Sequence, residues 1–222
     1  MRTLIRSGAV LVALSLAIAF APRLGGAAAV DAASTHSAVT HRAAFHDAMR
    51  KLWEDHITWT RLFIVSAATD PSNLPDIGPT VDRLLANQVD IGNAIKPFYG
   101  TAAGEQLTAL LGVHILTAAE VLADAKAGDA PSLADASARW YANGDEIATF
   151  LSTANPANWP LADMKAMMKA HLDLTLAEAV ARLQGRYADD VVGYDRVHAE
   201  ILEMADMLSD GIIRQFPEQF AH

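Results

Sequence analysis

The 222-residue chain has no cysteine. That excludes disulfides, thiolate metal sites and the lipid anchor of a bacterial lipoprotein, which needs a cysteine at its cleavage site. Glycine and proline are few, 13 and 9, against 52% hydrophobic residues. One globular core can be built from that material. No segment alternates as a strand. There is no Gly-x-Gly-x-x-Gly and no phosphate-binding loop, which argues against nucleotide chemistry. There is no Gly-x-Ser-x-Gly elbow for a serine nucleophile. Neither His-Glu-x-x-His nor Glu-x-x-His occurs, and His198-Ala-Glu200 is too tightly spaced to stand in for one.

Basic residues are also scarce. They number 17 against 26 acidic ones, and Arg2, Arg6 and Arg23 among them lie near the N-terminus. Arg2 and Arg6 precede an apolar run from Gly8 to Ala21, Pro22 and Arg23 end it, and Ala27-Ala28-Ala29 follows. This layout predicts a secretory signal peptide over residues 1–29. The apolar run is shorter than the roughly 20 residues of a membrane span, and no later run is expected to reach that length. Without the leader, 14 basic residues face 26 acidic ones, a net charge of −12. That predicts a periplasmic or secreted protein that binds neither nucleic acid nor, once cleaved, a membrane. Residues 30–40 are small and polar and read as a flexible leader. A helical domain is expected from 41 to 222.

What the chain does contain is a repeat. Met49-Arg-Lys-Leu-Trp-Glu-Asp-His56-Ile57, Leu107-Thr-Ala-Leu-Leu-Gly-Val-His114-Ile115 and Met164-Lys-Ala-Met-Met-Lys-Ala-His171-Leu172 share one apolar pattern ending in His. The histidines stand at positions 56, 114 and 171, a nearly constant interval. Between them runs a second pattern, Arg-x-x-Ala-[Asn/Glu]-x-x-acid-apolar. Its copies are Arg83 to Ile91, Arg139 to Ile147 and Arg196 to Met204, spaced by almost the same interval. Two patterns with one period predict an all-α fold, a six-helix bundle of three tandem αα-hairpins about 57 residues long.

The expected helices run from about 41 to the Asp70–Pro79 loop, then Thr80 to Ile95, Ala102 to Lys126, Ser132 to Thr153, Leu161 to Leu183 and Ala188 to Gln215. Pro97 and Gly100, Gly128, Pro156 and Gly185 serve as stops. His114 lies as far before Gly128 as His171 lies before Gly185. Asn143 and Glu200 lie almost the same distance beyond those glycines. Residues equally far from a hairpin turn sit at equal height. Each histidine should therefore face the Asn or Glu of its partner helix, with His56 and Asn87 paired less closely across a longer loop.

Such a layer of histidine, amide and carboxylate has several readings. It is architecture if the groups only satisfy one another and fix register. It is a metal site if imidazole and carboxylate from facing helices converge on Zn, Fe or Mn. The candidate ligands are His56, His114, His171, Asp90, Glu146, Glu200, Glu203 and His198. A small organic ligand is a third reading. The functions that follow are an exported binding protein, an exported hydrolytic or redox metalloenzyme with Glu146 or Glu203 as base, or a structural module. Trp59, Trp140, Tyr141, Phe98, Tyr99 and Trp159 are expected as core and loop anchors. Arg83, Arg139 and Arg196 are expected to pair with acids between hairpins. Asp189-Asp190 and Asp206 to Asp210 read as solvated helix surface.

Trp53-Glu-Asp-His-Ile-Thr-Trp-Thr-Arg61, Trp140-Tyr-Ala-Asn-Gly-Asp-Glu-Ile147 and Met204-Ala-Asp-Met-Leu-Ser-Asp-Gly-Ile-Ile-Arg-Gln-Phe-Pro217 resemble segments of a family of exported bacterial all-helical proteins with no established activity. The resemblance covers most of the chain after the leader. Some relatives are labelled glycosyltransferase or acetylglutamate kinase, but no nucleotide-sugar or ATP motif is present here. What the resemblance implies is the helical fold.

Overall fold

The computed structural model describes residues 26–69 and 72–221, with side chains from Ser37 onward. Positions 1–25 of the expected signal peptide lie outside the described residues, as do Asp70 and Pro71 of the first loop. Six helices follow in order: α1 (Gly26–Ala68), α2 (Ile77–Tyr99), α3 (Thr101–Ala127), α4 (Ala130–Ala154), α5 (Leu161–Leu183) and α6 (Tyr187–Gln215). A 3-10 turn, Pro217–Phe220, ends the chain. No strand occurs among the described residues.

Three boundaries depart from the expectation. The backbone of residues 30–40, expected as a flexible leader, is helical and continuous with α1. That stretch and its approach are rich in alanine, the strongest helix former. Helix α2 begins at Ile77 rather than Thr80, and it passes through Pro97 to Tyr99. A proline in the last turn forfeits one backbone bond but leaves the preceding turns intact. The stop is Gly100, whose φ of 86° suits glycine. Helix α3 also corrects an expectation, because its length and composition would allow it to cross a membrane. Here it packs between α2 and α4.

Each helix packs against the next in sequence, and α6 closes the ring by packing on α1. The odd-numbered helices α1, α3 and α5 also touch one another, so they form the inner layer. The cause is visible in the sequence. On each odd helix the positions seven and three before the histidine, the histidine and the next residue fall on one stripe. Met49, Trp53, His56 and Ile57 are buried, as are Leu107, Leu111, His114 and Ile115, and Met164, Met168, His171 and Leu172. At one end of the bundle Phe45, Phe98 and Phe220 pack with ring centres 5.2–5.6 Å apart. Trp159 is buried too. These aromatics are packing anchors.

Helices α2 and α3 approach unusually closely at two glycines. A Cβ on Gly104 would stand 2.6 Å from the Gly92 carbonyl oxygen and 2.4 Å from Lys96 Cγ. Lys96 can move; the Gly92 backbone can do so only by pushing the helices apart. Gly104→Ala should therefore destabilise the fold by about 1–3 kcal/mol, the usual cost of overpacking. Urea denaturation checks this, and an unchanged midpoint would contradict it.

Candidate functional site

The three repeated histidines meet in the centre of the inner layer. The ring centres of His56 and His114 are 6.4 Å apart, those of His56 and His171 5.9 Å, and those of His114 and His171 6.2 Å. The triangle is nearly equilateral, and the rings tilt against one another by only 31–40°. All three side chains are buried. They border an enclosed cavity of ≈ 20 Å³ together with Trp53, Leu107, Leu111, Met168 and Met204. That volume holds one water or one bare ion and nothing larger.

Each ring is held through Nδ1 by the following even-numbered helix. His114 Nδ1 lies 3.2 Å from Asn143 Oδ1, and His171 Nδ1 lies 2.9 Å from Glu200 Oε2. These are the pairs that equal distance from the turn glycines predicts. His56 differs: its Nδ1 meets Gln88 Nε2 at 3.1 Å, not Asn87. Asn87 instead donates to the Leu52 carbonyl at 3.0 Å, as Asn143 donates to that of Leu110 at 3.1 Å. Both carbonyls lie four positions before a histidine, so the two amides hold the same turn of their inner helices. Gln88 is the residue the sequence reading missed. It is the next residue after Asn87 and also faces inward.

The bonds assign the ring protons. Asn143 Oδ1 and the Glu200 carboxylate only accept, so His114 and His171 donate from Nδ1, and the neutral His114 leaves its Nε2 bare. Gln88 Nε2 has two hydrogens and donates to its two nearest acceptors, the Leu84 carbonyl at 2.8 Å and His56 Nδ1 at 3.1 Å, with Asn87 Oδ1 next at 3.2 Å, so His56 carries its own proton on Nε2. Burial, then repulsion from His171 and His114, pushes His56 well below the ordinary histidine range. Burial, then His171, pushes His114 down to about 3. Both are neutral at pH 7. Three polar atoms in or beside this layer are buried without a partner, namely Trp53 Nε1, Gln88 Oε1 and Trp140 Nε1. The Trp53 and Trp140 rings pack 5.9 Å from His56 and 5.5 Å from His114.

The other candidate ligands stand elsewhere. Asp90, Glu146 and Glu203 are exposed. Asp90 lies near Arg83, 3.7 Å away, and Glu146 borders a surface groove between α3 and α4. His198 bonds Glu54 at 2.8 Å. The geometry explains the three acids. The buried stripe of each even helix runs through the positions three before and four after the Asn or Glu. The position three after it is turned about 110° from the stripe's centre. Among the described residues, no group of three or more His, Asp or Glu stands ready to hold a metal ion. Three imidazoles bound through nitrogen at about 2.0–2.1 Å would have ring centres about 5.5 Å apart. The observed centres stand farther apart than that, at 5.9–6.4 Å.

Two polar clusters escaped the sequence reading. Asp190, expected on the solvated surface, is fully buried. It accepts both Arg61 Nη groups, and Arg182 lies 3.3 Å away. Glu178 accepts from Arg61 Nη1 at 2.9 Å. Burial pushes the Glu178 carboxyl up to about 7, against the pull of Arg61. Near the other end of α1, His46 Nδ1 lies 2.7 Å from Ser209 Oγ, and its Nε2 lies 3.1 Å from Asp210. That set has the members of a catalytic triad, but Ser209 is wholly buried and its hydroxyl also bonds the Ala205 carbonyl. No attacking oxygen is presented to a substrate. Arg83 and Arg139 pair with Asp55 and Glu120 on the adjacent helix of the same predicted hairpin, not between hairpins.

No family model, curated protein or solved structure matches this chain.

Proposed function

We propose that the chain is an exported binding protein of three tandem αα-hairpins, α1–α2, α3–α4 and α5–α6. Its inner helices hold a single metal ion in the cavity that His56, His114 and His171 border. The observation that carries this reading is the triangle of buried imidazoles on a one-ion cavity. The hairpin repeat is supported by the recurring contacts, with Asn87 and Asn143 on equivalent carbonyls and His114 and His171 on equivalent partners. A Nδ1 bond to a carboxylate or amide is the arrangement that orients metal-ligating histidines. The neutral His114 ring need shed no proton to coordinate. Export rests on the N-terminal layout, and net charge makes nucleic acid an unsuitable partner.

The cavity's size argues against an organic ligand. Its enclosure, and the exposed positions of Glu146 and Glu203, argue against hydrolysis with either as base. An architectural layer is the competing reading, favoured by the Nδ1 bonds already being made. Thermal melts separate the two. Metal at a hundredfold excess over its dissociation constant should add about 2.7 kcal/mol of stability, and His114→Ala should lose most of that gain. Wild-type melts identical with chelator and with Zn, Fe, Mn or copper would leave only the architectural layer.

A further inference from the structure

We propose that the ion is copper(I), held by the Nε2 atoms of His114 and His171 and the thioether sulfurs of Met168 and Met204, with Glu200 supplying the balancing charge. This rests on the reading of the cavity as a single-ion site. It departs from Zn, Fe or Mn, the ions to which histidine and carboxylate alone point.

Ligand softness selects the metal. Apart from the imidazoles, the side chains of the cavity wall with a donor atom that can reach a metal are Met168 and Met204. Trp53, Leu107, Leu111, Ile147 and Leu151 supply hydrocarbon and one indole N–H. Among the described residues, no carboxylate lines it. Thioether with imidazole suits copper(I), whereas oxygen ligands suit manganese and other hard ions.

Charge points the same way. Among the described residues, Glu200 is the one carboxylate bonded to any of the three rings. It neutralises a monovalent ion. A divalent ion would leave a net positive charge in an apolar enclosure, where uncompensated charge is costly.

Ligand number agrees. The Gln88 amide holds the His56 proton on Nε2, so His114 and His171 supply the imidazole ligands. Zinc in a closed structural site takes four protein ligands drawn from thiolate, imidazole and carboxylate, and the cavity wall supplies only the two imidazoles. Copper(I) can complete its set with the two thioethers. In this arrangement His56 shapes the cavity and its N–H remains a donor.

The test uses the full mature chain and copper(I) kept reduced by ascorbate, in competition with a colorimetric copper(I) chelator. Zinc is titrated separately. One equivalent of copper(I) should bind, more tightly than zinc, and X-ray absorption should show sulfur as well as nitrogen around the metal. Met168→Leu with Met204→Leu is close to volume-conserving, so the fold should persist, and circular dichroism verifies it. That variant should lose at least tenfold in copper(I) affinity, with little change in zinc affinity. If zinc binds more tightly, or the double variant keeps its copper(I) affinity and no sulfur is seen, the copper assignment is overturned and the single-ion site stands. If neither metal binds the wild type, both fall.

Discussion

Replacing Arg61 with alanine is expected to destabilise the protein by about 3–5 kcal/mol, the range for removing one partner of a buried ion pair. Arg61 bonds Glu178 at 2.9 Å and both oxygens of Asp190. The two carboxylates are essentially inaccessible to water. Without Arg61, Glu178 loses its ion-pair partner, while Asp190 keeps Arg182 at 3.3 Å. The loss should shrink as pH falls from 8 to 5. Losing the cation raises the Glu178 carboxyl further, and it then enters the fold protonated, without an unpaired charge. Arg61→Lys should cost less, since one charge remains, though not the two-sided fork. Urea denaturation at several pH values measures this. A loss below about 1 kcal/mol at pH 8 would mean that the cluster behaves like a surface pair.

The second large effect is acid sensitivity at the histidine layer. His114 has a folded value of about 3 against 6.5 when exposed. A histidine with a depressed folded value contributes stability that is complete above the unfolded value. It is lost as pH falls from 6.5 toward the folded value, because only the unfolded chain takes up the proton. At pH 5 the loss from His114 alone is about 2 kcal/mol. His56 is shifted the same way and adds to it. Glu178 works in the opposite direction. Its raised folded value makes the fold gain stability as pH drops through 7, so the wild-type curve is a sum of opposed terms. The clean readout is a difference, that between the wild type and His114→Gln, both with chelator. The wild type's stability relative to the variant should fall by about 2 kcal/mol between pH 7 and pH 5. A flat difference would show that His114 is not held neutral by burial.

The parts of the site that could be read in advance are those that periodicity controls. Helix rise fixes height along a hairpin, which is why His114 with Asn143 and His171 with Glu200 could be paired from their distances to Gly128 and Gly185. Rotation is harder to read. Asp90, Glu146 and Glu203 share a helix face with the inward amides only loosely, and the buried stripe passes them by. Gln88 was missed because it has no counterpart in the other repeats, where Gly144 and Ile201 occupy the same position. The Arg61, Glu178 and Asp190 cluster was invisible for a different reason. A charged residue in a first helical turn looks solvated until the helix that covers it is known, and α1 lies far from α6's start in sequence. The helical state of residues 30–40 reflects alanine propensity overriding a composition that looks like a linker.

Metal retention by the purified mature chain tests the central claim most directly. Wild type and His114→Ala, stripped with chelator, are dialysed separately against zinc, iron(II), manganese(II) and reduced copper(I), then against metal-free buffer, and the bound metal is counted by mass spectrometry. The expected result is one equivalent of a single metal on the wild type and almost none on the variant. Equal retention by the two proteins, or no retained metal on either, would contradict it.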